Sequence, residues 1–123
     1  MFASWHELHD AAVAALGRGA GIIAHAAVET YSVLTRLPPP HRAPAPIVTA
    51  FLEARFGSRW LGLSEAQHRR TIASLPALGI EGGATYDALI AAAALRANAT
   101  LVSCDERALR VYAAIGAEVE LVA

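Results

Sequence analysis

The chain contains no lysine. All ten of its basic residues are arginines, set against eleven acids for a net charge of −1. That balance counts against a strong nucleic-acid binder, since such proteins usually show a basic face. An anionic substrate must instead be met by local arginines, a metal ion or the charge of a partner. Cysteine occurs once, as Cys104. A single thiol excludes an internal disulfide and a cysteine-built structural zinc site, and it reads here as a buried reduced thiol. No apolar run approaches the roughly 18 residues that a membrane-spanning helix needs. The opening residues, Met1-Phe2-Ala3-Ser4-Trp5-His6-Glu7, lack the basic and apolar regions of a secretory leader, which predicts a cytoplasmic protein with no membrane role.

What is present is apolar: 55% of 123 residues are hydrophobic. This excludes a disordered chain and suits one domain, residues 1–123, with one core. Apolar periodicity alternates between helical and strand spacing. A helix over residues 5–16 opens after Ser4 and ends at Gly17, Gly19 and Gly21. A short strand at 21–25 leads into a helix at 26–37, which Pro38, Pro39 and Pro40 stop. Residues 37–46 hold five of the six prolines and form a stiff surface connection. A helix at 47–56 and a strand at 59–63 follow. Ser64 and Gln67 have capping-box spacing for a helix ending between 75 and 78. Beyond a loop at 79–83, the alanine-rich stretch 85–97 predicts a helix buried on most sides. A strand at 100–103, a helix at 106–115, a turn at Gly116 and a last strand at 118–122 complete the chain. Such alternation indicates an α/β fold, with helices covering a parallel sheet of about four short strands in three α/β/α layers.

Only three aspartates occur. Asp10, among Glu7, Leu8 and His9, reads as a solvated helix residue. Asp87 stands in the first turn of a largely apolar helix, where it either offsets the helix dipole or points into a shared pocket. Asp105 follows Leu101-Val102-Ser103-Cys104, just past the end of a buried strand. Open α/β sheets place ligands there, and a helix N-cap is the alternative role. Glu29 lies in the first turns after the strand at 21–25, with apolar neighbours three and four places away. It is either an edge-of-core glutamate or a functional acid. In a parallel sheet these three places converge on one edge. Clustered carboxylates repel one another unless a cation lies between them, and oxygen-only donors favour Mg²⁺ or Mn²⁺.

Three segments carry a resemblance to a known family. They are Ala27-Val28-Glu29-Thr30-Tyr31-Ser32-Val33-Leu34-Thr35-Arg36-Leu37-Pro38, Gly79-Ile80-Glu81-Gly82-Gly83-Ala84-Thr85-Tyr86-Asp87-Ala88-Leu89-Ile90-Ala91 and Ala99-Thr100-Leu101-Val102-Ser103-Cys104-Asp105-Glu106-Arg107-Ala108. In this order they resemble the PIN-domain family, and within it the VapC-type toxins of toxin–antitoxin pairs. The resemblance implies a PIN-like fold and a Mg²⁺-dependent endoribonuclease that cleaves RNA phosphodiesters with metal-activated water. Glu29, Asp87 and Asp105 would be its catalytic and metal-binding acids. Ser103 would orient the last carboxylate or a metal-bound water. The implied partners are RNA, a cognate antitoxin that blocks the site (often with an arginine near the acids) and a second copy of the chain in a homodimer.

The pattern departs from the family at its start. Family members open with a central strand ending in an aspartate, and here the chain opens on a helix. Either translation begins roughly ten residues upstream, about one strand and its turn, or the chain is a catalytically inactive module that only binds its antitoxin. An aspartate-phosphorylated receiver-like domain also has strand-end acids, but it needs a lysine. Among the arginines, Arg36 and Arg107 are the candidates for phosphate contact, ahead of Arg42 and Arg110. His6 and His9 read as surface residues. Trp5 and Trp60 read as core or dimer-interface anchors. The stripe Ile47, Phe51, Leu52 and Phe56 suggests a groove for an amphipathic antitoxin helix.

Overall fold

The computed structural model describes residues 20–121. Expectations for the first helix, and for Trp5, His6, His9 and Asp10 within it, lie outside the described residues. The chain forms two compact units, Met1–Trp60 and Leu61–Ala123.

In the first unit, strand β1 (Ile22–Ile23) runs directly into helix α1 (Ala24–Arg36). Ile23 stays extended, and no side chain caps the helix start. Pro38 ends α1, because the residue before a proline is pushed out of helical geometry; Leu37 accordingly has ψ 147°. The proline-rich connection is tied back to the helix it leaves. The Ala43 N–H donates to the Leu34 carbonyl at 3.0 Å, and the Arg42 Nε–H donates to the Leu37 carbonyl at 2.8 Å. Helix α2 (Ala45–Phe56) carries Pro46 in its first turn, where a missing N–H costs nothing. Gly57 ends it with φ 55°, donating its N–H to the Glu53 carbonyl. Helices α1 and α2 pack around Leu34, Leu37, Ala43, Val48, Leu52 and Phe56, with Ile22 and Phe51 against that cluster. Phe51 and Phe56 meet edge to face, with ring centroids 6.4 Å apart. The Ile22 N–H donates to the Arg59 carbonyl at 3.0 Å, which sets β1 beside β2 (Trp60–Leu61).

The second unit opens with helix α3 (Glu65–Ser74). Its capping box forms as expected: Ser64 Oγ accepts the Gln67 N–H at 3.1 Å, and Gln67 Oε1 accepts the Ser64 N–H at 2.8 Å. No residue of α3 is buried, so the caps rather than a core define its start. A 3₁₀ turn (Pro76–Leu78) follows. Helix α4 (Ala84–Arg96) buries Ala88, Ile90 and the four alanines 91–94. Small side chains let neighbouring elements approach its backbone closely. Leu75, Ile80, Ala88 and Val111 form the core of this unit, with Ala84 and Ile115 beside them. Strand β3 (Leu101–Ser103) pairs in parallel with β4 (Val119–Leu121), with Leu101 opposite Val119 and Ser103 opposite Leu121. The crossover between them is a 3₁₀ turn (Glu106–Ala108) and helix α5 (Leu109–Ile115), ended by Gly116 at φ 95°.

Four short strands occur among the described residues, at the places the alternation predicted. Among the described residues they form two two-stranded sheets rather than one continuous sheet. The expected helix at 106–115 is split, because Asp105 caps a tight 3₁₀ turn before the α-helix begins. No helix among the described residues is long and apolar enough to cross a membrane.

Candidate active site

Each acid has a different support. Glu29 lies in the second turn of α1, whose buried residues are Ala27 and Leu34. Its own side chain is 51% exposed, and Glu29 Oε1 lies 2.9 Å from His25 Nε2. An ionised carboxylate only accepts hydrogen bonds, so in this contact the imidazole carries a proton on Nε2 and donates it. Glu29 is thus an exposed acid held by one neighbour, four residues back on its own helix.

Asp87 stands in the first turn of α4, half-buried beside the fully buried Ala88. No side chain caps this helix. A carboxylate here interacts favourably with the dipole of the helix start, an effect of about 0.3–1 kcal/mol. The dipole role and a functional role are compatible.

Asp105 is exposed and stands two residues past the end of β3. Its Oδ1 accepts the Arg107 N–H at 2.9 Å, so the expected N-cap is formed. Ser103 supports the same turn from the other side: its Oγ accepts the Asp105 N–H at 3.1 Å. Ser103 therefore reaches the main chain of Asp105, where the resemblance implied an oriented carboxylate or water. Cys104, expected to be buried, is exposed. It belongs to the turn past the end of β3, where the chain has left the ladder that would cover it.

Glu29 belongs to the first unit, and Asp87 and Asp105 belong to the second. Three carboxylates are a donor set suited to a hard divalent cation. Among the described residues, however, no three histidine, cysteine, aspartate or glutamate side chains gather closely enough to hold an ion. The donor chemistry fits such an ion; the described geometry does not by itself supply its site.

The arginines sort by their neighbours. Arg36 in the last turn of α1 and Arg107 in the 3₁₀ turn are exposed. Arg42 spends its Nε–H on a main-chain carbonyl and acts as a strut for the proline connection. The stripe expected to line a groove is divided. Leu52 and Phe56 are buried, Phe51 packs against them, and only Ile47 is exposed, at 52%. Helix α2 needs those apolar positions for its own unit's core.

Two features escaped the sequence reading. One is His25, whose signal was the spacing of four residues that places it one helical turn from Glu29. The other is an apolar groove of about 450 Å³ in the first unit, lined by Ala27, Val28, Tyr31, Thr49, Leu52, Glu53 and Trp60. Trp60, expected in a core or an interface, is 46% exposed at its rim. Ala27, Val28 and Tyr31 lie on the side of α1 away from Glu29, since positions three and four apart share a helix face and Glu29 falls roughly 150° from it.

Comparison with known proteins adds to this geometry. The chain matches the PIN domain over residues 1–114. It is 51% identical over 121 residues to a protein named ribonuclease VapC40 in two strains of Mycobacterium tuberculosis, an alignment covering 98% of this chain and 90% of that protein. It is 40% identical over 119 residues to ribonuclease VapC27 of the same organism, covering 96% of this chain and 86% of that one. No solved structure matches it.

Proposed function

The chain belongs to the PIN-domain family, and from that premise we propose that it is a metal-dependent endoribonuclease, the toxin of a toxin–antitoxin pair. One observation carries the reading: identity of 51% across 98% of the chain to a protein named a ribonuclease. The substrate is RNA, the reaction is hydrolysis of a phosphodiester by water, and the setting is the cytoplasm. The partners are an antitoxin that blocks the acids and a second copy of the chain.

Glu29, Asp87 and Asp105 are the catalytic and metal-binding acids in this reading. Mg²⁺ or Mn²⁺ is the cofactor that all-oxygen donors favour. When bound, such an ion supplies activation of water and neutralisation of charge on the phosphoryl oxygens. The chain's own contribution is placement. Asp105 is held at both ends of its turn, by Ser103 through the main chain and by the Arg107 N–H through Oδ1. Its Oδ2 is the oxygen left for a ligand. Exposed Arg36 and Arg107 meet phosphates of the RNA.

The test is cleavage of a mixed RNA substrate by the purified chain. Cleavage that requires a divalent ion and is lost in Asp87→Asn and Asp105→Asn supports the reading. Both variants cutting as well as the parent would overturn it. A second reading is a catalytically inactive module that only binds its antitoxin. A chain that binds the antitoxin tightly and cuts no RNA at any ion concentration would establish that alternative.

A further inference from the structure

We infer that His25 is the positioning residue for Glu29, selecting which carboxylate oxygen the helix presents to a ligand. The inference rests on the reading of Glu29 as one of the reactive acids. The geometry is specific. His25 is the second residue of α1, directly after β1, and its Nε2 lies 2.9 Å from Glu29 Oε1. The donation occupies Oε1 and leaves Oε2 as the oxygen for a ligand.

A solvent-exposed glutamate on a helix samples several rotamers, and an acid that must meet a ligand in one geometry loses that freedom on binding. A neighbour that removes the freedom beforehand pre-organises the site. Two features suit His25 to this task. Its ring is planar and has only two side-chain torsions, so it is stiffer than a lysine or glutamine at the same place. It also stands beside a point where α1 is fastened to a strand: Ile23 is buried, and the Ile22 N–H donates to the Arg59 carbonyl. The imidazole is therefore mounted at the end of the helix that follows the strand, and Glu29 lies one turn later. Two other hydroxyl side chains of α1 bond only within their own helix backbone. Thr30 and Thr35 turn their hydroxyls back onto the carbonyls of Ala26 and Tyr31.

The experiment compares the parent, His25→Ala, His25→Gln and Glu29→Gln in one RNA-cleavage assay. It is paired with ¹³C NMR of the Glu29 carboxyl in metal-free protein. Gln keeps an N–H donor within reach of a carboxylate four residues on. In His25→Ala the Glu29 resonance should move to the position of a freely solvated glutamate. The kcat should fall roughly 10-fold, the low end for loss of a group that orients a reactive ligand, with KM held. His25→Gln should restore at least half of both the shift and kcat. A His25→Ala protein with parental kcat and an unmoved Glu29 resonance would overturn the inference, as would one that folds, is slow and is not rescued by Gln. If Glu29→Gln abolishes cleavage while His25→Ala leaves it untouched, the inference alone fails. If the parent cuts no RNA, the reading of Glu29 fails and takes the inference with it.

Discussion

Ser103 Oγ accepts the main-chain N–H of Asp105 at 3.1 Å, so the serine acts on the aspartate through the backbone and not through the carboxylate. The same aspartate closes the other side of the turn by accepting the Arg107 N–H at 2.9 Å. Two short hydrogen bonds thus turn the end of β3 into a presenting loop. An acid can serve as a helix cap and still offer its second oxygen outward.

The three acids should be needed together. Asp87→Asn, Asp105→Asn and Glu29→Gln are each expected to lower RNA cleavage about 100-fold or more, the scale for losing a group that acts on the reacting water. Circular dichroism should be unchanged, since none of the three is fully buried. Retained cleavage in any one of them would remove that residue from the site.

Removing divalent ions should stop the reaction. Cleavage is expected to vanish in EDTA and to return on adding Mg²⁺ or Mn²⁺, followed as loss of full-length RNA on a denaturing gel. Undiminished cutting in EDTA would rule out the metal.

The divided stripe on α2 makes a stability prediction. Leu52 is 8% exposed and sits in the core of the first unit, whereas Ile47 is 52% exposed. Leu52→Ala should cost about 2–5 kcal/mol, and Ile47→Ala should stay within about 0.5 kcal/mol of the parent. Urea unfolding of the two variants checks this. Equal costs would mean that the stripe works as one surface.

Helix α3 offers a separable effect. Ser64→Ala removes the half of the capping box made by the serine hydroxyl, which accepts the Gln67 N–H, and should cost about 1 kcal/mol. Because no residue of α3 is buried, the loss should appear as faster amide exchange in the first turn of that helix, with a much smaller change in global unfolding. A large global shift without local opening would contradict the picture of a helix defined by its caps.

Gly116 shows how far single residues specify local shape. At φ 95° the chain turns from α5 into β4 in a region that side chains avoid, and the sequence reading placed a turn there for that reason. Ser64 with Gln67, and Leu37 before Pro38, were legible in the same way. His25 and Glu29 were not, although their spacing was visible. A spacing of four puts two residues on one helix face, but many such pairs never touch. Cys104 was misread because burial depends on where a ladder ends, and β3 stops at Ser103.

Local stereochemistry and apolar period, both properties of short segments, set the order of helices and strands here. The alanine-rich stretch reads as a helix and the proline-rich one as a connection from their own composition. Three-dimensional packing decided which apolar residues of α2 became core, that Asp105 is clasped from both sides, and that His25 grips one oxygen of Glu29. Those outcomes turn on distances between groups whose separation no pattern along the chain encodes.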